Sequence, residues 1–155
     1  MLGALLLGVQ VALSFLPNIE LVSFLIIIYT LTLRSKALIP IYVFVFLEGF
    51  VYGFGVWWIN YLYIWTVLFL VVRLFSSVKS TVFWSVVSAA FGLFFGMLCA
   101  IPYLFMGGIN MAIAYWIEGI IFDIAHCFGN FTACIILFKP VNRFFYKIYN
   151  QLLTI

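Results

Sequence analysis

Apolar residues run along this chain in blocks too uniform for helices with one wet face, and the blocks stop where turn-forming or charged residues cluster. Those stops divide the chain into six spans. Span one covers about Met1–Leu16 and closes at the turn pair Pro17-Asn18. Span two, about Ile19–Leu33, is short, which predicts little tilt or shielding by its neighbours, and it ends at Arg34-Ser35-Lys36. Span three, about Ala37–Tyr52, is broken by Gly53-Phe54-Gly55. Span four, about Trp57–Leu74, leads into a loop over 76–80. Span five, about Thr81–Ile101, stops at Pro102. The stretch Tyr103–Tyr115, with Gly107-Gly108 and Asn110, reads as an ordered cap that does not span. Span six runs from about Trp116 to Phe138, and Lys139-Pro140 opens a basic amphipathic tail.

Composition turns these blocks into membrane spans. Of 155 residues, 68% are hydrophobic and 7% charged, and mean hydropathy is +1.33. A soluble domain carries roughly 25% charged residues, so this chain cannot cover a water-facing surface. At about 20 apolar residues per crossing, one six-helix transmembrane domain over 1–155 uses nearly the whole chain. The first sixteen residues lack a positive start and a small-residue cleavage site, which reads as a retained span and not a signal peptide. Cys99, Cys127 and Cys134 have neither pairing nor metal spacing and read as buried free thiols.

The seven basic residues set the orientation. Arg34 and Lys36 lie between spans two and three, Arg73 and Lys79 flank the loop between spans four and five, and Lys139, Arg143 and Lys147 follow span six. An even number of spans places all of them on one side, and the positive-inside rule makes that side the cytoplasm. Both termini are then cytoplasmic. Five spans would leave the tail opposite the two loops, so six is the better count.

The acids fall the other way: Glu20, Glu48, Glu118 and Asp123 all map to the outer half or outer loops. Helical rise puts Asp123 roughly 24 Å, His126 roughly 20 Å and Glu48 roughly 18 Å above the inner boundary of a core about 30 Å thick. Ionisable groups at such depth mark a cavity, a pathway or a partner. On span six, Asp123, His126 and Asn130 share one face, with Trp116 above them. They read as the polar wall of a ligand cavity open to the outside, or else Asp123 and His126 satisfy each other. At the start of span four, Trp57, Asn60, Tyr61 and Ile64 share a face suited to a planar ring, although an interfacial aromatic belt gives the same pattern. Glu48 and Tyr52, four apart on span three, add a third polar pair. With no Lys or Arg on that side, the cavity favours a neutral or cationic heterocycle carrying N–H donors over an anion.

Small residues recur every fourth position in two spans, as Ala4, Gly8 and Ala12 on span one and as Ser88, Gly92, Gly96 and Ala100 on span five. Such stripes let helices approach closely in lipid. The second reads as packing within the bundle, the first as a face for a separate membrane subunit. No nucleotide-binding loop, zinc-protease motif or serine-hydrolase motif is present, and no metal or cofactor is expected. The chain reads as a non-enzyme.

The six-span layout, the Ala4/Gly8/Ala12 stripe, and the run from Tyr115-Trp116-Ile117-Glu118-Gly119 through Phe122-Asp123-Ile124-Ala125-His126 and Gly129-Asn130 to Phe138-Lys139-Pro140 resemble the substrate-binding S components of energy-coupling factor (ECF) importers. Leu16-Pro17-Asn18-Ile19-Glu20 and the stretch from Glu48-Gly49 to Trp57-Trp58 fit the same pattern. The resemblance implies a protein of the bacterial plasma membrane that captures a vitamin or similar micronutrient near its outer face. It further implies pairing with a transmembrane coupling subunit and two cytoplasmic ATPases, and substrate release by toppling in the membrane; nucleic acid is not an expected partner. It places the coupling subunit on Ala4, Gly8 and Ala12. The substrate-binding set is Glu48, Tyr52, Trp57, Asn60, Tyr61, Trp116, Glu118, Asp123, His126 and Asn130. A deazapurine of the queuosine-precursor type suits four acids better than folate, biotin or pantothenate, and thiamine-type, cobalamin and flavin substrates remain open. Two competing readings are a structural six-span protein, similar to the rod-shape-determining subunit of the cell-wall machinery, and a small intramembrane enzyme centred on Asp123 and His126.

Overall fold

The structure, a computed structural model, describes residues 1–16 and 19–153; the turn expected at Pro17-Asn18 lies outside the described residues. Six helices of twelve residues or more make up the fold: α1 (Leu2–Leu13), α2 (Val22–Leu33), α3 (Leu38–Tyr52), α4 (Val56–Leu74) and α5 (Thr81–Leu93), then a five-residue α6 (Phe95–Cys99) and the long α7 (Ile101–Leu153). No strand occurs among the described residues. Three stretches, Val22–Tyr52, Val56–Leu74 and Ile101–Gln151, are long and apolar enough to cross a membrane.

The first of these stretches is not one straight rod. Arg34 opens a 3-10 turn over Arg34–Ala37 with φ 54°, a region non-glycine residues rarely occupy. Glu20, just before α2, and Glu48, near the end of α3, line the same cavity of about 360 Å³. In one continuous helix they would stand roughly 42 Å apart at 1.5 Å per residue. The chain therefore reverses at Arg34, and α3 runs back packed against α1 and α4.

α2 is the centre of the bundle. Its sequence, VSFLIIIYTLTL, is apolar all round, the mark of a helix with no solvent face, and ten of its twelve residues are buried. α4, α5 and α7 pack around it. The shielding expected of this short span is what the fold provides.

α5, continued by α6, packs closely on α7, and the Ser88/Gly92/Gly96 stripe lies in that seam. A Cβ on Gly92 would sit 2.9 Å from the backbone carbon and oxygen of His126, and one on Gly96 would fall 2.5 Å from Asp123 Oδ2. Asn130 Nδ2 donates to the Ser88 carbonyl at 3.2 Å. Pairing of residue 88 with 130 and of 92 with 126 shows the two helices antiparallel. This stripe packs inside the bundle, as the spacing predicts.

The last part of the chain departs from the expected layout. Span five ends at Leu93, where Phe94 interrupts the helix before α6, and the helical rise resumes at Ile101 without stopping at Pro102. The stretch 103–115, expected as an ordered cap, is helical and folds back on itself. Gly108 takes φ 77° and ψ −175°, which needs a glycine, and Tyr103 stacks on Tyr115 with centroids 4.2 Å apart. The tail also differs, because Pro140 is absorbed and α7 continues to Leu153. Its far end returns to α2, where Tyr146 donates to the Leu31 carbonyl at 3.3 Å and Phe145 meets Tyr29. The basic amphipathic tail is thus a continuation of the α7 helix.

These contacts fix which ends of the helices lie together. Tyr29 reaches the Leu2 carbonyl and the Tyr42 hydroxyl meets Thr66 at 2.8 Å. The two basic turns and the basic tail gather at one end with Met1, while Glu20, Glu48, Asp123 and Glu118 lie toward the other. The three cysteines are free; Cys99 and Cys134 are buried and Cys127 is half-buried.

Candidate ligand cavity

The cavity opens at the acid-bearing end and is built from five helices. α1 supplies Gln10 and Leu13, α3 supplies Glu48 and Tyr52, α4 supplies Trp57, Tyr61 and Trp65, α6 supplies Phe95, and α7 supplies His126; Ser14, Leu16, Ile19 and Glu20 come from the connection between α1 and α2. Exposed Ser14, Ile19 and Tyr52 stand at its rim.

Its aromatic wall follows from helix geometry. Trp57, Tyr61 and Trp65 are spaced four apart, so they stack one above another on a single face of α4. Each ring meets the next edge to face, at 5.4 Å and then 5.3 Å between centroids. Phe44 and Phe95 close on Trp65 from either side. Such edge-to-face contacts hold the rings at set angles.

Its polar groups include a satisfied pair, Glu20 with His126, and a buried carboxylate, Glu48. Glu20 accepts from the Ser23 backbone N–H at 2.9 Å, acting as a cap for the first turn of α2, and Glu20 Oε1 lies 3.1 Å from His126 Nε2. The His126 ring packs against Phe95 at 5.0 Å. Glu48 is only 2% exposed, and its Oε1 has no hydrogen-bond partner. Trp65 is equally buried, with its Nε1 unpartnered. No Lys or Arg lines the cavity.

The expected site residues fall into two groups. Glu48, Tyr52, Trp57, Tyr61 and His126 meet in the cavity. The other five stand elsewhere. Asn60 is buried behind the wall and accepts from the Tyr63 hydroxyl at 2.9 Å. Asp123 accepts the Gly96 N–H at 2.9 Å and so caps α6. Asn130 is buried, away from the cavity lining, and donates to the Ser88 carbonyl. Trp116 lines a separate apolar crevice with Met97, Leu104 and Ile113, and Glu118 is exposed. Asp123 and His126 share a face but do not satisfy each other; Gly96 and Glu20 take those roles. Ala4, Gly8 and Ala12 are all exposed along α1, and nothing lies within 4 Å of a Cβ built on Gly8.

Gln10, Glu20, Trp65 and Phe95 are lining residues absent from the expected set. Trp65 was legible as the third member of a Trp-x3-Tyr-x3-Trp series. Glu20 carried the same depth signal as Glu48. Nothing local marks Gln10 or Phe95, which reach the cavity through the packing of α1 and α6. Among the described residues no cluster of His, Cys, Asp and Glu has the makings of a metal site. No family model matches the chain, and no curated protein or solved structure matches it either.

Proposed function

We propose that this protein is the substrate-binding S component of an ECF-type importer in a bacterial plasma membrane. It crosses the bilayer six times, with both termini and all seven bases cytoplasmic, and captures a neutral or cationic heterocyclic micronutrient at its outer end. The cavity carries this reading. It is a concave site, aromatic on one wall and acidic on the other, and its volume lies in the range typical of small-molecule sites. Glu20 and His126 hold each other and the start of α2, but a purely structural membrane protein has no use for the buried Glu48 carboxylate beside a space, because it costs energy to hold at depth.

Delivery follows from what surrounds the cavity. Trp65 and Phe95 line it beside the buried core, and release on the far side is by the toppling motion of the whole bundle. Energy comes from two cytoplasmic ATPases through a coupling subunit that meets the exposed Ala4/Gly8/Ala12 face of α1. At about 360 Å³ the space suits one or two rings, which favours a deazapurine or thiamine-sized solute over cobalamin.

The test is a thermal-shift screen of the purified protein against vitamins and nucleobases. A ligand that binds only the folded state raises the unfolding temperature by mass action, so one compound is expected to stabilise at micromolar concentration. No response to any compound, together with co-purification of cell-wall proteins, overturns the importer in favour of the rod-shape reading.

A further inference from the structure

Seven bases gather at one end of the bundle, and no described carboxylate pairs with any of them. Among the described residues the one ion pair is Glu20 with His126, toward the other end. Tertiary contacts bring the basic segments together. α2 and α7 run in the same direction, with Glu20 beside His126, Tyr29 against Phe145 and the Leu31 carbonyl on Tyr146. Arg34 therefore comes within about one turn, roughly 5 Å, of the level of Lys147. α5 runs antiparallel to α7, and the register of Ser88 with Asn130 and of Gly92 with His126, carried on, brings Lys79 to about the level of Lys139. Lys139, Arg143 and Lys147 are four apart, share one face of α7 and are all exposed. Like charges at that spacing destabilise a helix, so the stripe costs the fold unless a counter-charge comes from outside.

A second feature indicates what carries that counter-charge. Large apolar side chains stand in the open beside the bases: Ile39 after Lys36, Leu74 and Phe75 after Arg73, and Phe144 and Ile148 next to Arg143 and Lys147, exposed by 39% to 76%. An acidic soluble surface would answer the charges and leave these groups in water. A phospholipid answers both, with phosphate on the bases and hydrocarbon on the apolar groups. We propose that the basic end of the bundle binds anionic phospholipid headgroups, with Lys139, Arg143 and Lys147 at its centre and the turns at Arg34–Lys36 and Arg73–Lys79 as its flanks. A zwitterionic headgroup brings its own ammonium and is held less. Basic residues near a span's end orient it during insertion; retention of chosen lipids is a separate property, which here needs the α7 stripe packed beside the turns. The proposal rests on the chain being membrane-spanning and not on the capture site, so a cavity that binds no micronutrient leaves it in place.

The test titrates phosphatidylglycerol and phosphatidylcholine of the same acyl chains into the full chain in a non-ionic detergent. Bound lipids are counted by native mass spectrometry in about 50 and about 500 mM ammonium acetate, since salt screens exposed charges. Phosphatidylglycerol is expected to bind at least about tenfold more tightly at the lower salt, with the preference narrowing at the higher. One base beside an anionic surface is worth about fivefold in affinity. Lys139→Gln, Arg143→Gln and Lys147→Gln combined should therefore cut the preference at least about fivefold and leave phosphatidylcholine binding unchanged. Arg34→Gln with Lys36→Gln, which leaves α7 intact, should lower it too and serves if the triple variant does not fold. Glycerol phosphate at the lipid's concentration should not displace phosphatidylglycerol. Equal affinity for the two lipids, a preference indifferent to salt, or one unaltered in the folded variants overturns the proposal. Displacement by glycerol phosphate assigns the surface to soluble phosphates, and tighter binding of polyglutamate than of either lipid assigns it to an acidic protein; each result overturns the lipid.

Discussion

Glu20 holds two structural positions at once, capping α2 through Ser23 and holding His126 on α7 at 3.1 Å. Removing its charge acts on both. Glu20→Ala is expected to lower the unfolding temperature by several degrees, because loss of a cap alone costs about 1 kcal/mol and His126 is left buried without its partner. Glu20→Gln should recover the larger part, since the amide oxygen still accepts from Ser23. Melting curves of the three proteins in one detergent check this order. Asp123 is a different case despite its similar depth. Its contact is the Gly96 N–H and it stands outside the cavity lining, so Asp123→Ala should reduce thermal stability while changing ligand affinity less than twofold. Titration of the best ligand against that variant decides the point; a large loss of affinity would return Asp123 to the cavity.

At the scale of elements, the α5–α7 seam is where the fold has least room. Gly92 faces backbone atoms of His126, which cannot swing aside as a side chain can. Gly92→Ala is expected to force the helices apart at a cost of about 1–3 kcal/mol and to disturb the Glu20–His126 contact with them. Gly8→Ala, on the open face of α1, should leave stability unchanged. Unfolding temperatures of the pair test whether the two stripes of small residues differ as their surroundings do. Both stripes have the same spacing in the sequence, and periodicity states only that close approach is possible. Which helix approaches, or whether any does, depends on neighbours distant along the chain.

For the whole molecule the prediction is topological. In a cysteine-free background, single cysteines at Ser35 and Ser77 should be labelled by membrane-impermeant maleimide only after the cells are opened, and cysteines at Phe54 and Phe105 should be labelled on intact cells. Labelling of positions 35 and 77 from outside would invert the bundle and remove the capture site from the outer face.

Much of this molecule was legible before its structure. Apolar runs with so few charges leave helices as the economical answer in lipid, because each backbone group is satisfied within its own segment. The breaks at Arg34, Gly53 and Ser76 follow from local chemistry, and α3 and α4 start and stop within a residue or so of where those breaks place them. Glu48, Tyr52, Trp57, Tyr61 and His126 were identifiable because an ionisable or amphipathic group at depth needs a reason to be there. The fate of the other polar residues was decided only by tertiary structure. Asp123, Asn130 and Asn60 have the same composition and periodicity as cavity residues, yet each is held by a partner on a neighbouring turn or helix, the Gly96 N–H, the Ser88 carbonyl and the Tyr63 hydroxyl. The fold-back at Gly108 and the continuation of α7 through Pro140 are likewise set by packing, of Tyr103 on Tyr115 and of Phe145 on Tyr29, which offsets what the glycine and proline cost locally. A sequence states which side chains require a partner. Only the approach of helices far apart in the chain determines which of them find one and which, like Glu48, come to line a cavity instead.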